Sequence, residues 1–435
     1  MDQLSLLYLQ HKKNGTLHLL LDDLTNNGEY NIQIPFIDKA NPDKKPIWII
    51  VDPNDVENIC KNNVKKIPNL ATFVGDSIIS TTDNLHWKNQ RTDYQEAFDP
   101  IFILPELLPS SINRAEIAIN YLHNTYSHYF NINEFLLHET QAQLQNLMYG
   151  FTNYTDQDNI YIRNAFYQAD MIQMEIWANN NLAKGNGPLM EAMQERQPLT
   201  DTEHKNNMLT FAFAGHDTTA HTLTWLIYEL SKNHSFYSTF QNEIDTFWIN
   251  HPDSKSWNLN LFKELTFTTK CIFEILRLYP AVANGTYREL DHDQEISTQH
   301  GTVLLSKGDW VQIPNYTRHR NIKLWGYDAN IFNPNRDFHP DELWNNEGFN
   351  FNNPYSNRFS PFSFPPRDCI GKNFSQMEMR VILLHLFKDF NFYPTTFHQD
   401  TINDLTMGPK DPSNLNKTAL YVSIQPRNLS PKAKL

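Results

Sequence analysis

Cysteine is scarce: Cys60, Cys271 and Cys369 are the only three in 435 residues. Their wide separation excludes a disulfide framework and a closely spaced zinc pair, and chemistry in a reducing compartment fits them best. No run approaches the ~20 apolar residues that span a bilayer. Met1-Asp-Gln begins acidic and the apolar patch at 4–9 is short, so a signal-peptide pattern is lacking too. Basic residues are outnumbered, 36 against 49 acidic, for a formal charge of −13. That balance excludes a broad basic face for nucleic acid. Repeats, linkers, low-complexity domains and Gly-rich phosphate loops are missing. Apolar mass, by contrast, is plentiful: 40% hydrophobic residues with 28 Phe supply a sizeable core. The length allows several average domains or a single large enzyme domain. Asparagine runs such as 179–181 read as compositional bias.

Periodicity predicts a mainly α fold with a small β portion. Residues 4–12 read as a short helix, and 30–37 and 46–51 as strands. Asp52-Pro-Asn-Asp opens a helix through Cys60, with proline in its first turn. Helical patches are predicted at 113–129, 133–149 and 159–179. The segment 301–313 reads as a hairpin bounded by glycines. A long helix runs from Asn373, and a last strand at 419–425 stops at Pro426.

The most informative stretch is Phe362-Ser-Phe-Pro-Pro-Arg-Asp-Cys369-Ile-Gly371. An amphipathic run follows at once, with Phe374, Met377, Val381, Leu384 and Phe387. A turn that opens a helix therefore presents Cys369, where backbone N–H groups and the positive dipole end favour a thiolate. A buried structural thiol is the bland alternative, and the flanking residues decide against it. The segment resembles the haem-binding loop of the cytochrome P450 family, Phe-x-x-Gly-x-Arg-x-Cys-x-Gly, and matches at Phe362, Arg367, Cys369 and Gly371. The resemblance implies that Cys369 is the axial thiolate of haem b (iron-protoporphyrin IX). One position departs: Pro365 stands where the family has glycine, after the bulky Phe364. Proline holds φ near −65° and lacks an N–H. The loop is therefore expected to turn elsewhere, or to draw hydrogen bonds to sulfur from other amides.

Three more motifs keep the family's order. Trp87 and Arg91 lie four apart on one helix face. Taken alone, such a pair means a cation–π contact; the resemblance makes both haem-propionate contacts. The segment Ala214-Gly215-His-Asp217-Thr218-Thr219 sits in an otherwise apolar helix, where glycine and paired threonines are locally unfavourable. A kink or functional opening is one reading, and threonine back-bonding to a carbonyl is the other. The family's oxygen-activation helix reads alike. It implies that Ala214 and Gly215 border haem, that Thr218 hydrogen-bonds dioxygen, and that Asp217 feeds protons through water. His216 and His221, on the same helix, read as packing or surface residues. Glu274 and Arg277 pair at i and i+3 before Pro280, and the segment at Phe332, Pro334 and Arg336 resembles the family's Phe-x-Pro-x-Arg. By resemblance, Glu274, Arg277 and Arg336 form a structural network, while Arg288 and Arg367 are further propionate ligands.

The resemblance runs from Trp87 to Gly371 and implies one P450-like domain over 1–435. Its parts are strands and helices at 1–100, a short substrate roof at 100–200, a haem-binding helical core at 201–390 and strands at 391–435. The phrasing around Cys369 and the 325–336 segment leans towards fungal or protist-like members. The roof region is short for this family, so an open access route, or a partner or membrane covering it, is expected. The implied activity is a monooxygenase that activates O2 and oxidises a small apolar substrate. No flavin domain is appended, so electrons come from a separate donor of reductase or ferredoxin type, with Lys88 and Lys372 in a basic docking patch. Two rivals stay open: a haem-thiolate isomerase or dehydratase, and a non-catalytic haem-binding relic. Many eukaryotic members carry an N-terminal anchor and a proline-rich hinge; this chain has neither. The expected location is cytoplasmic, soluble or peripherally membrane-associated, or the chain is a truncated gene product.

Overall fold

The computed structural model describes all residues except 1, 37–44, 69, 152–155, 168–170, 182–184, 196–199, 344–354, 397, 404–405, 415–416 and 428–435. Helices dominate, with small sheets at the margins. The longest helix, Asp201–Lys232, is the axis of the fold. It is nucleated by Thr200, whose hydroxyl accepts from the Glu203 amide at 3.1 Å. Leu223, Trp225, Leu226, Ile227 and Leu230 along it are fully buried. Trp225 stacks on Tyr279 at 4.1 Å between ring centroids and donates to the Met407 carbonyl at 3.1 Å, so its polar edge is satisfied where it is buried.

This axis packs against the helix Ile132–Gln143, which runs on into a π turn, Leu144–Met148. A Cβ on Gly215 would meet Leu144 Cδ1 at 2.8 Å. The axis stays helical through Gly215, so the glycine serves close helix–helix approach rather than a break.

Local signals set the other elements. Asp52 caps Pro53–Asn62 and Asp83 caps Asn84–Gln95, each carboxylate accepting from two first-turn amides. One four-stranded sheet orders Ile32–Ile34, Ile47–Ile49, Trp310–Ile313 and Thr286–Glu289. Its register pairs Ile32 with Ile49, Ile47 with Trp310 in parallel, and Thr286 with Ile313. The expected hairpin at 301–313 is corrected here. Gly301–Leu305 pairs back with Gln294–Thr298, whereas Trp310–Ile313 enters the larger sheet. Val311 and Ile313 are buried there between two neighbours, a burial that a two-stranded hairpin does not offer. Tyr421–Pro426 lies between Phe130–Asn131 and Phe390–Pro394. The hairpin Thr401–Asn403 with Met407–Pro409 rests on the axis. Among the described residues the 100–200 region holds five α-helices, Ile103–Thr125, Ile132–Gln143, Asp156–Tyr167, Met171–Asn181 and Pro188–Glu195. The joins among the last three, on which the expected open route depends, include 168–170 and 182–184, outside the described residues. No helix among the described residues is long and apolar enough to cross a membrane.

Candidate haem-thiolate site

The cysteine loop turns at Ser363, with φ of 66°, one residue before the bulky phenylalanine. Pro365 therefore does not have to supply a positive φ, and the Pro365–Pro366 peptide is cis. Phe364 is buried in a cluster with Ile50, Val56, Leu290 and Val311. The Arg318 guanidinium lies 5.7 Å from its ring centroid. Its bulk is thus absorbed by the core on the sheet side. The Cys369 amide donates to the Phe362 carbonyl at 2.8 Å, closing the loop. Gly371 then caps the helix Lys372–Asp389.

Cys369 is surrounded by protein yet keeps accessible surface, so it borders interior space rather than the outside. Burial pushes its thiol above the ordinary range, against the opposing pull of the Gly371 amide, Lys372 and Arg91. The helix start alone does not make it a thiolate; a bound cation would.

Arg91 holds the residue before the cysteine. It donates to the Asp368 carbonyl at 2.7 Å and to its carboxylate at 3.0 Å. Lys372 donates to the second carboxylate oxygen at 2.7 Å. Lys372 is thereby buried and neutralised, whereas Lys88 is exposed. The cation over Trp87 is Arg367, 4.2 Å from the ring centroid, and not its helix neighbour Arg91.

Arg367 also donates to the Val64 carbonyl at 3.1 Å and to Asn84 at 3.3 Å, leaving one terminal nitrogen without a partner. Arg288 bonds the Thr286 hydroxyl and the Tyr287 carbonyl, leaving its Nε bare. Lys66, missed in the sequence, joins them. Burial and then the two arginines push its pKa well down, and burial plus Arg288 lowers Arg367 to about 9. Among the described residues no carboxylate pairs with any of the three. Two buried arginines and a half-buried lysine without an anion are costly, and the chemistry they call for is a multiply charged anionic ligand. Haem propionates fit that demand, and Cys369 fits the iron.

On the axis helix, Phe213, Ala214, Gly215 and Thr218 keep some accessible surface while His216, Asp217 and Thr219 are buried. Thr218 donates to the Ala214 carbonyl at 3.0 Å, the back-bonding arrangement. Asp217 accepts from the Thr406 hydroxyl, and His221 Nδ1 lies 3.0 Å from the same hydroxyl. Neither histidine is at the surface. Away from this, Arg277 grips Glu274 through bonds of 2.7 and 2.8 Å, and Arg336 reaches the same carboxylate at 3.1 Å. Arg277 also donates to the carbonyls of His319 and Ala329. Arg358, on Glu342 at 2.7 Å and over Trp325 at 4.1 Å, extends this network and had no motif to announce it.

A family model for cytochrome P450 matches residues 116–415, and the chain belongs to the cytochrome P450 family. Cytochrome P450 3A12 of Canis lupus familiaris is 29% identical over 52% of this chain and 40% of that protein. Cytokinin hydroxylase of Arabidopsis thaliana is 35% identical over 46% of this chain and 35% of its own length. The matched stretch thus spans about two fifths of the first of these relatives. A crystal structure of a cytochrome P450 superposes with a TM-score of 0.74 at 18% identity, covering 94% of each chain, which supports the fold.

Proposed function

We propose that the protein is a haem-thiolate monooxygenase that uses O2 and electrons from a separate reductase- or ferredoxin-type donor to oxidise a small apolar organic substrate. The observation that carries this reading is the pairing of an interior-facing Cys369 with the anion-poor cluster of Lys66, Arg288 and Arg367. Haem b is the group that fits both, with Cys369 on iron and the three cations on propionates. When bound it supplies reductive oxygen activation, which an electron-rich thiolate ligand favours.

This chain's own residues do the rest. Trp87 fixes the plane of the Arg367 guanidinium. Arg91 and Lys372 clamp Asp368 and so set the position of the next residue, Cys369. The small side chain of Ala214 leaves room on the accessible face of the axis helix, while Gly215 lets Leu144 of the neighbouring helix approach. Asp217 sets its carboxylate beside that face as the acid–base group, and Thr218 offers a hydroxyl on it. Glu274, Arg277 and Arg336 brace the structure and touch no reacting group. We place the protein in the cytoplasm, free or peripherally bound to membrane, as one domain; its three free cysteines agree with a reducing compartment.

The test is the carbon monoxide difference spectrum of dithionite-reduced protein, wild type and Cys369→Ser. A strongly red-shifted Soret band lost in the variant is the expected result. A band at the position of histidine-ligated or unligated haem would move the reading to a haem-binding relic, and folded protein that takes up no haem would overturn it.

A further inference from the structure

The turn that presents Cys369 is made without glycine: residues 349–370 contain none. Ser363 takes the positive φ of 66° in its place. An L-residue in that region is strained, and the conformation persists only where the surroundings fix it from several sides. The fixing point is Ser360, whose carbonyl accepts from the Ser363 amide at 3.0 Å. Its other polar groups are held by two neighbours in another element. The Ser360 amide donates to His319 Nε2 at 3.1 Å, and the Ser360 hydroxyl accepts from Arg318 Nη1 at 3.0 Å. Arg318 Nη2 donates to the Asn357 carbonyl at 2.9 Å, and the same guanidinium lies 5.7 Å from the Phe364 ring centroid. One side chain thus reaches the loop at residues 357, 360 and 364.

Arg318 ends the short helix Asn315–Arg318, which follows directly on the sheet strand Trp310–Ile313. The grip is therefore mounted on the sheet and not on the loop itself. His319 adds a ring contact, 5.0 Å from Phe359 between centroids. Burial, then Arg318 and Arg277, hold the imidazole well below its ordinary pKa, so Nε2 stays a lone pair that accepts the Ser360 amide. Arg318 is buried. Its remaining hydrogen-bond partner is the Asn315 amide oxygen at 3.4 Å, and its Nε is bare. None of its partners is a carboxylate, so its charge carries a desolvation cost that no counterion offsets. What the side chain supplies is geometry: a planar fork that holds 357 and 360 at a fixed separation, which a compact ammonium does not do.

We propose that Arg318, with His319 beside it, is a positioning residue for Cys369, fixing Ser360 so that Ser363 makes the glycine-free turn that aims the thiol. This rests on the haem-thiolate reading above and deepens it, since it names what holds the ligand loop in register. The connection from Arg318 to the cysteine is continuous. Ser360 bonds Ser363, and Phe362 between them accepts the Cys369 amide on its carbonyl at 2.8 Å.

The first readout needs no haem. In the haem-free full chain, hydrogen exchange of a peptide over 356–364 is followed by mass spectrometry. It should be about tenfold faster in Arg318→Met than in wild type, the size expected when a charge-assisted hydrogen bond is lost. Peptides from the axis helix should be unchanged. Equal exchange at 356–364 overturns the proposal. If Arg318→Met does not accumulate as folded protein, Ser360→Ala removes the hydroxyl acceptor alone. It should speed exchange about threefold, and no change there overturns the proposal likewise.

The second readout uses haem-loaded protein reduced with dithionite under carbon monoxide. Conversion of the red-shifted Soret band to the position of unligated haem is timed in mild urea. It should be about tenfold faster in Arg318→Met and intermediate in Arg318→Lys, whose point charge reaches one acceptor instead of two. Ser363→Gly removes the strain at the turn, since glycine adopts a φ of 66° freely. It should therefore slow conversion more in the Arg318→Met background than in wild type. Equal slowing in both backgrounds means that the two residues are independent and sinks the proposal. Faster haem release from Arg318→Met with unchanged band conversion would make Arg318 a propionate cation, which overturns it as well. A wild-type chain without the red-shifted band fails the haem-thiolate reading instead, and the exchange result still decides whether Arg318 holds the loop.

Discussion

Two groups of cations in this molecule, each built on buried arginines, have opposite fortunes. Around Glu274, Arg277 and Arg336 share one carboxylate, and the remaining guanidinium hydrogens of Arg277 go to carbonyls; both Glu274 and Arg277 are fully buried. Lys66, Arg288 and Arg367 oppose one another electrostatically and pair with no carboxylate among the described residues, and each of the two arginines has an orphaned nitrogen. Both groups pay for desolvation. The first is compensated inside the chain and is architecture, while the second is arranged for something the chain does not encode.

The largest effect should come from breaking the compensated group. Glu274→Ala leaves Arg277 without its counterion and Arg336 with Asp328 alone, and an unpaired buried charge costs about 3–5 kcal/mol. The variant should unfold at markedly lower urea or fail to accumulate as folded protein. An unchanged urea midpoint would mean that the carbonyl bonds alone hold Arg277.

The opposite sign is expected in the uncompensated group. Arg288→Met removes a cation that has no carboxylate partner among the described residues, so the haem-free chain should gain up to about 1–4 kcal/mol, the range seen when apolar residues replace buried charge. The same variant should release haem faster when transfer to apomyoglobin is followed. Stability and cofactor retention moving in the same direction would break the contrast.

The smallest effect is a slope. Lys66 is held well below its ordinary value of 10.5. Between that lowered value and 10.5 the unfolded chain binds the extra proton, so this group costs stability at neutral pH and the cost fades as pH rises towards 10.5. Melting temperature of the haem-free protein should therefore climb with pH through this window, and Lys66→Met should flatten the climb. Haem loading should flatten it as well, by supplying anions to the lysine.

The contrast also explains what could be read in advance. Glu274 and Arg277 are one helical turn apart and Trp87 and Arg91 likewise, so spacing alone placed each pair on a common face. Cys369, with its flanking arginine and glycine, announced a loop before a helix, and the helix begins at Lys372. What spacing could not show is which distant group each side chain meets. Lys66 sits in a polar Asn-Asn-Val-Lys-Lys run that looks like surface, and only the folded chain brings it beside Arg288 and Arg367. Arg91 was expected at a propionate; its hydrogen bonds go to Asp368, 277 residues away. Thr406 belongs to no motif at all. Trp310–Ile313 went to a parallel partner rather than to its sequence neighbour because strand pairing follows burial, which local alternation does not encode.

The hairpin on the axis helix has a consequence for how the protein is made. Thr406 meets Asp217 across 189 residues of chain. Synthesis proceeds from the N-terminus, and the axis helix has left the ribosome long before the hairpin is translated. The partner of the Asp217 carboxylate is thus a late addition, made after the axis helix and the Cys369 loop and before only the last strand, Tyr421–Pro426. A nascent chain stalled before the hairpin carries Asp217 and the Cys369 loop but no hydroxyl to join the acid to the imidazole.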